Sequence, residues 1–256
     1  MNVLVEQAVN LLREAKERHG DGLVYPCSMG LEGSVMVDLI HTNGLGIPIM
    51  TLDTGRLPQA TYDVISAFEK RYGIRVQVLF PDCHEVEAMV REHGVNLFRE
   101  SVDMRKTCCE VRKIRPLMRA LEGKQAWITG RRRQQSKGRS DLQSIETDPI
   151  YGLKKYNPLL EWSLKDVEAY VRSNGLPYNR LHDAHYQSIG CECCTRAIAV
   201  GEDERAGRWW WENDDVAAEC GLHVMSLKQV TGDIEGGEGR SEERRGGKEG
   251  SEGGGA

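Results

Sequence analysis

Residues 23–40 read LVYPCSMGLEGSVMVDLI, and the reading of this stretch decides the fold. Leu23 to Tyr25 form a short apolar strand, Cys27 to Ser34 a turn-rich loop, and helix resumes through Val35, Leu39 and Ile40. Small residues in such a loop let backbone N–H groups approach an oxyanion at the helix N-terminus. A Ser/Gly turn between strand and helix is commonplace, so the loop alone specifies little.

The same alternation extends outward. Before it, Val5, Val9, Leu12 and Ala15 share one helical face. After it, Ile47 to Leu52 reads as a strand and Tyr62, Ile65 and Phe68 as a helix. Val76 to Phe80 is a third strand and Val86, Met89 and Val90 a third crossover helix. Val111, Ile114, Met118 and Leu121 mark one more helix, and Ala126 to Thr129 one more strand. Strands alternating with helices predict an α/β fold with a parallel sheet covered by helices on both faces. Ligands of such sheets gather at the carboxyl ends of the strands. The loops there are chemically marked: Ser28 to Ser34, Asp53 to Arg56, and Gly130 to Arg139. Past residue 150 the pattern loosens. Ser163 with Asp166 three positions on is a capping box, and Gly175 ends that helix; from there to Trp211 the chain reads as irregular and wrapped on the core. From Ile234 to Ala256 it is Gly/Glu/Arg low-complexity and expected to be disordered. Gly239 to Gly250 (GRSEERRGGKEG) resembles translated sequencing-adapter read-through, and the tail is assigned no function.

Composition narrows the class. A chain of 256 residues with 39% hydrophobic residues builds one sizeable core. No apolar run approaches a membrane span, and Met1 to Gly20 lack a signal pattern, so a cytoplasmic enzyme is expected. The net charge of −5 argues against a nucleic-acid partner. Arg131, Arg132, Arg133, Lys137 and Arg139 are nonetheless clustered, which suits a small anionic ligand.

Eight cysteines in a reducing compartment point to metal binding or catalysis rather than disulfides. Cys108 and Cys109 are adjacent, and Cys191 and Cys194 form a C-x-x-C pair. Two such pairs suit a structural zinc or an iron–sulfur site, and ligand softness leaves both open. Adjacent cysteines diverge along a helix and seldom reach one tetrahedral ion together, but each can hold a different iron of a cubane. Cys193 could replace a neighbour as ligand. Cys27 and Cys83 have no partner spacing and read as buried apolar cysteines. Cys220, in Glu219-Cys220-Gly221-Leu222-His223, would be an exposed thiol whose thiolate His223 favours; a lone cysteine there is commonly incidental. Trp209 to Trp211 read as core-packing bulk, and Arg205 and Arg208, taken alone, as an exposed i,i+3 helix face.

Several ordered segments resemble one family: KTCCEVRKIRPLMRAL (106–121), WITGRRRQQS (127–136), NPLLEW (157–162), PYNRLHD (177–183), SIGCECCTRAI (188–198), GEDERAGRWWWE (201–212) and ECGLH (219–223). Together they resemble the sulfonucleotide reductases, specifically the cluster-containing branch that reduces adenylyl sulfate (APS). The resemblance implies a fold like that of the adenine nucleotide alpha hydrolases, with an irregular C-terminal cluster-binding region. It implies one domain over residues 1–223, with a mobile catalytic segment from about 213. It further implies a [4Fe-4S] cluster on Cys108, Cys109, Cys191 and Cys194. Cys220 is the implied nucleophile, with His223 beside it, and thioredoxin or a similar dithiol releases sulfite after AMP has left. Lys113, Arg205 and Arg208 match positions around the phosphosulfate, and Arg132 and Arg139 are further candidate contacts. Ser28 and Gly30 fall in the modified pyrophosphate loop, Leu52 and Asp53 in the adenosine pocket, and Gly130 in the loop that follows the fourth strand. Family members often form homo-oligomers. The runner-up is a 3′-phosphoadenylyl sulfate (PAPS) reductase, or a dual enzyme, that keeps the cluster. Two departures stand out: Gly33 where related sequences often carry Asp, and His185 at a position commonly Gly.

Overall fold

The computed structural model describes residues 2–135 and 139–212. Helix α1 (Asn2–His19) leads into β1 (Leu23–Pro26), then α2 (Leu31–Thr42), β2 (Ile49–Leu52), α3 (Gln59–Tyr72), β3 (Gln77–Leu79) and α4 (Cys83–His93). Helix α5 (Val102–Cys109) passes through a π-helical turn (Glu110–Ile114) into α6 (Arg115–Leu121), followed by β4 (Ala126–Ile128), β5 (Ile145–Thr147), β6 (Lys154–Tyr156) and α7 (Leu164–Ser173). The strands form one sheet in the order β3-β2-β1-β4-β6-β5. All neighbours are parallel except β5, which runs antiparallel to β6 at the edge. The expected parallel sheet is therefore a mixed one, and β5 and β6 are strands that periodicity missed.

Alternation along the strands divides the core in two. Leu23, Tyr25, Ile49, Ala126 and Ile128 pack with α1, α2, α3 and α7. Val24, Met50 and Trp127 point the other way, against Leu117 and Leu121 of α6. Phe68 is fully buried in the larger cluster, a placement that stabilises by about 1.5–3 kcal/mol. Asp38 joins three helices by accepting hydrogen bonds from Tyr72 (2.9 Å) and Tyr170 (2.7 Å). Burial and that carboxylate push both phenols well above their ordinary pKa.

A third apolar cluster lies apart from these two. It gathers Met89, Leu97, Phe98, Val111 and Trp209 around Cys108, Cys191 and Cys194. Here the Trp run contributes bulk, as expected, with Trp209 buried and Trp210 partly exposed. The anticipated helix face through Met118 shifts by one residue: Val111, Ile114, Leu117 and Leu121 are buried and Met118 is exposed. The π turn widens the helix within that stretch and alters its register. Cys83, expected buried, is exposed at the start of α4. The proposed catalytic segment from about 213 and the tail 234–256 lie outside the described residues. No helix among the described residues is long and apolar enough to cross a membrane.

The capping box at α7 is present, with Ser163 accepting from Asp166 N and Asp166 accepting from Ser163 N. His185, which follows the short turn Arg180–Ala184, sits at φ 63° and is exposed. A left-handed backbone disfavours any residue with a Cβ, which is the physical reason glycine suits this position. His185→Gly should raise stability by about 0.5–1 kcal/mol, net of glycine's extra freedom in the unfolded chain. Thermal unfolding should then show a midpoint roughly 1–4 °C higher; a lower midpoint would mean that the imidazole makes a contact that outweighs the strain.

Candidate active site

Strand β1 lies between β2 and β4, so the chain leaves it on one side and returns on the other. Loops diverge at such a switch point and leave a crevice. A cavity of about 250 Å³ opens there, lined by the segments that follow β1, β2 and β4. Its floor is the Cys27–Gly33 loop. Helix α2 begins there on Gly30 with no side chain capping its first N–H groups, which leaves them available to an anion. Met29 holds a left-handed φ of 60° and is fully buried, its N–H donating to Cys27 Sγ at 3.4 Å. Burial, ahead of the opposing Met29 hydrogen bond, pushes the Cys27 thiol up to about 11. That sulfur is a packing and acceptor group at neutral pH.

Of the ten side chains and glycines expected to touch substrate, the cavity wall includes Ser28, Gly30, Leu52 and Lys113, and also Gly130, Arg139, Arg205 and Arg208. Asp53 and Arg132 lie behind the wall. Asp53 is buried and accepts from Gly55 N (2.7 Å) and Tyr62 Oη (2.9 Å), so it braces the second loop. Arg132 has no exposure and bridges two carboxylates, Glu32 (2.7 Å) and Glu204 (2.7 Å). Burial works to raise Glu32, but Arg132 outweighs it and holds that carboxyl low. Burial prevails at Glu204, whose pKa is raised despite the same guanidinium. Elsewhere in the basic cluster, Arg131 pairs with Glu146 and Arg133 with Glu161, while Lys137 lies outside the described residues.

Arg205 and Arg208 are not an exposed helix face. They belong to a turn-rich segment bridged to the C-x-x-C loop through Thr195 and Arg208. Arg208 donates to the Cys194 carbonyl at 3.4 Å. A Cβ at Gly190 would stand 2.6 Å from Arg208 Cζ, so only glycine admits the guanidinium there. The loop after β2 grips the same region: Thr54 Oγ1 is 3.2 Å from Cys191 Sγ, and Glu192 N donates to Arg56 O at 2.9 Å.

A second, smaller cavity of about 10 Å³ abuts the first, and Lys113 and Cys191 lie on both walls. Cys108, Cys109, Cys191, Cys193 and Cys194 line it, together with Phe98 and the cations Arg56, Arg105, Arg112 and Lys113. Among the described residues no carboxylate lines it, although Arg105 is paired behind it with Glu212. Adjacent helical cysteines diverge, yet the turn of α5 into the π segment leaves both Cys108 and Cys109 buried on this wall. Burial pushes Cys108 up against the pull of Arg112 and Lys113. Cys193 and Cys194 are 3.8 Å apart, and their contact holds the Cys193 thiol down to about 6 while raising Cys194. Among the described residues no three His, Cys, Asp or Glu side chains stand together as a metal site. Cys220 and His223 lie outside the described residues.

Residues 22–197 match the family model for the phosphoadenosine phosphosulfate reductase domain. The chain belongs to this family. The adenosine 5′-phosphosulfate reductase of Burkholderia cepacia is 44% identical over 233 residues, 91% of this chain and 92% of that protein. Among solved structures, the phosphoadenylyl-sulfate reductase of Candida auris, in a phosphate complex, superposes with a TM-score of 0.64 at 29% identity, covering 75% of this chain and 90% of that one. Candida glabrata FMN adenylyltransferase, at 13% identity and a TM-score of 0.54 over 84% of this chain and 74% of that one, shares the fold alone. The fold is thus a mostly parallel sheet with its cavity where the strand order reverses.

Two wall residues, His182 and Gln187, were not singled out from the sequence. The only sequence signal was the histidine in PYNRLHD. A departure that was noted, Gly33, has a local cause: a Cβ there would meet Cys27 Sγ at 2.7 Å. The thiol fills the space a side chain at 33 would need. Gly33→Ala should therefore cost about 1–3 kcal/mol by overpacking. In a Cys27→Ala background the same change should instead be neutral or stabilising by up to ~1 kcal/mol, as expected of alanine in a helix. Chemical denaturation of the two single variants and the double variant reads the change of sign; equal effects in both backgrounds would refute the packing account.

Proposed function

We propose that this protein reduces APS to sulfite and AMP. The carrying observation is the shared wall. A nucleotide-sized cavity with cations on its rim abuts a cavity lined by five cysteines, through Lys113 and Cys191. Family membership and the name of the Burkholderia relative support the same reading. Lys113, Arg205 and Arg208 would bind the phosphosulfate, since guanidinium forks and an ammonium both suit oxyanions. The uncapped start of α2 would receive a phosphate oxygen, and Leu52 would lie against the adenosine.

Cys220 is the proposed nucleophile, with His223 favouring its thiolate. It follows Glu212 by eight residues, a tether of at most roughly 26–29 Å. Arg205 and Arg208, on the cavity wall, stand only seven and four residues before Glu212, so the chain leaves the described fold within reach of the substrate. The thiolate attacks the sulfur of APS, an S–S bond forms, and the S–O bond to phosphate breaks with its electron pair leaving on AMP. A dithiol of the thioredoxin type then attacks the Cys220 sulfur, sulfite departs, and the second thiol resolves the mixed disulfide. The two electrons come from that dithiol. A cytoplasmic location and a homo-oligomeric state complete the reading.

The donor set of the second cavity fits a [4Fe-4S] cluster. Its ligands are soft, buried thiols, and the cations around them offset thiolate charge. Cys108, Cys109, Cys191 and Cys194 would hold it. Bound there, the cluster would cross-link two distant chain segments and supply an electrostatic field beside the phosphosulfate subsite. Lys113, on the shared wall, would neutralise charge toward both cavities.

Anaerobically purified protein should contain about four irons per chain. Cys191→Ser should lose them, and Cys193→Ser should keep them. A colourless protein with one tightly bound zinc would remove the cluster from the proposal.

Incubation with APS and no reductant should add one SO3 unit to the peptide containing Cys220, read by peptide mass spectrometry. Cys220→Ser should bind APS but release no sulfite with thioredoxin present. Comparing APS with PAPS as substrates decides between the proposed activity and the PAPS or dual alternative; preferential turnover of PAPS would overturn the APS assignment.

A further inference from the structure

Two residues of the cavity wall carry buried polar atoms that stand out. His182 and Gln187 line the cavity. Among the described residues, neither ring nitrogen of His182, nor Gln187 Oε1, meets hydrogen-bond geometry with a protein atom, although all three atoms are buried. A buried polar atom without a partner is costly and is normally completed by water or ligand.

The backbone that carries them is firmly held. Asn179, fully buried, donates to Thr61 Oγ1 (3.1 Å) and accepts from Leu181 N (3.1 Å), anchoring the turn to α3. His182 N donates to Asn179 O (3.0 Å), and Tyr186 N to Leu181 O (3.1 Å). The side chains are thus presented by a fixed loop rather than left idle on a loose one.

Their chemistry selects a ligand group. Burial keeps His182 neutral by lowering its pKa, against the opposing pull of Glu32, the Tyr186 carbonyl and Asp183. A neutral imidazole carries one acceptor nitrogen and one N–H, and here neither is engaged in hydrogen-bond geometry among the described residues. Gln187 Oε1 is a second acceptor. Glu32, also on the wall, has its charge taken up by Arg132 at 2.7 Å. Such a corner, with two uncharged acceptors beside a closed ion pair, does not draw an oxyanion. It suits an uncharged hydrogen-bond donor.

We propose that His182 and Gln187 are substrate-binding residues that accept hydrogen bonds from the nucleoside half of the ligand. Two groups of an adenosine nucleotide share that donor chemistry, the exocyclic amine of adenine and the ribose hydroxyls. This assignment rests on the cavity being an adenylyl nucleotide site, as proposed above. It adds which wall reads the nucleoside rather than the phosphosulfate.

Calorimetric titration with AMP tests it without turnover. His182→Phe, which keeps the bulk and removes both nitrogens, should weaken AMP binding at least tenfold, and Gln187→Met at least threefold. Inorganic pyrophosphate, which lacks the nucleoside, should bind each variant within twofold of wild type. Inosine monophosphate, 2′-deoxy-AMP and 3′-deoxy-AMP separate the two donors. Wild type should lose affinity for whichever analogue lacks the contacted group, and His182→Phe should no longer distinguish it from AMP. Three results would overturn the assignment: AMP affinity within twofold of wild type in folded His182→Phe, an equal loss for pyrophosphate, or no discrimination among the analogues by wild type. A wild-type protein that binds no AMP would instead sink the nucleotide reading itself, and this assignment with it.

Discussion

Everything about the site depends on the direction in which the chain leaves β1. Helical crossovers between parallel strands keep one hand. From β1 the chain therefore builds β2 and β3 to one side, then crosses back to place β4 on the other. The loops after β1 and β4 must part, and the gap between them cannot be closed by either helix layer. The cavity is that gap. Its polar floor follows from the same geometry: α2 starts directly beneath it, on a glycine, with its first N–H groups uncapped. The left-handed Met29 is the local cost of turning a strand into that helix within four residues.

The strands flanking this gap were legible because each is a short apolar run between turn residues, and the helices because their apolar positions recur at helical spacing. What escaped was structure whose cause is tertiary. Strand β6 is Lys154-Lys155-Tyr156, and nothing in its pattern signals a strand. Lys155 is nonetheless almost wholly buried, because Asp148 pairs with its ammonium. A charged strand becomes a buried one only when a partner from elsewhere neutralises it. The stretch from Val102 to Leu121 failed more subtly. Its apolar spacing is helical throughout, yet the π turn at Glu110–Ile114 alters the register in the middle. Cys108 and Cys109, just before that turn, share a cavity with Arg112 and Lys113 within it.

Legibility of the site divides along the same line. Residue type and position in a loop after a strand pointed to Ser28, Gly30, Gly130 and Arg139, and the family resemblance to Lys113, Arg205 and Arg208; one cavity wall holds all seven. These signals could not tell which arginine faces inward. Arg132 and Arg139 sit in one basic run, but Glu32 and Glu204 capture Arg132 behind the wall. A guanidinium goes where its carboxylates are, and those lie about a hundred residues earlier and seventy later in the chain. His182 and Gln187 were missed for the opposite reason: their significance is the lack of a protein partner, which only the assembled wall reveals. Cys27 and Cys83 looked alike in sequence. One fills the space beside Gly33 and the other is exposed at a helix start.

The placement of the cysteines links these separate features. The C-x-x-C loop is tied to the loop after β2 through Thr54 and Arg56, and to the segment bearing Arg208 through Cys194. The Cys108–Cys109 helix is tied to that same segment by Arg105, which donates to both oxygens of Glu212 at 2.9 and 2.8 Å and lies 4.5 Å from the Trp209 ring centre. Both partners are almost entirely buried. A buried ion pair adds little net stability, because desolvation offsets most of its attraction, whereas losing one partner is severe. Its contribution is therefore to position: it admits one docking of the 195–212 segment and penalises every other. That docking sets Arg208 on the cavity wall, and it sets the point from which the chain runs on toward Cys220. The residues around these cysteines thus determine the geometry of the larger cavity's rim, even though none of Cys108, Cys109 or Cys194 lines that cavity.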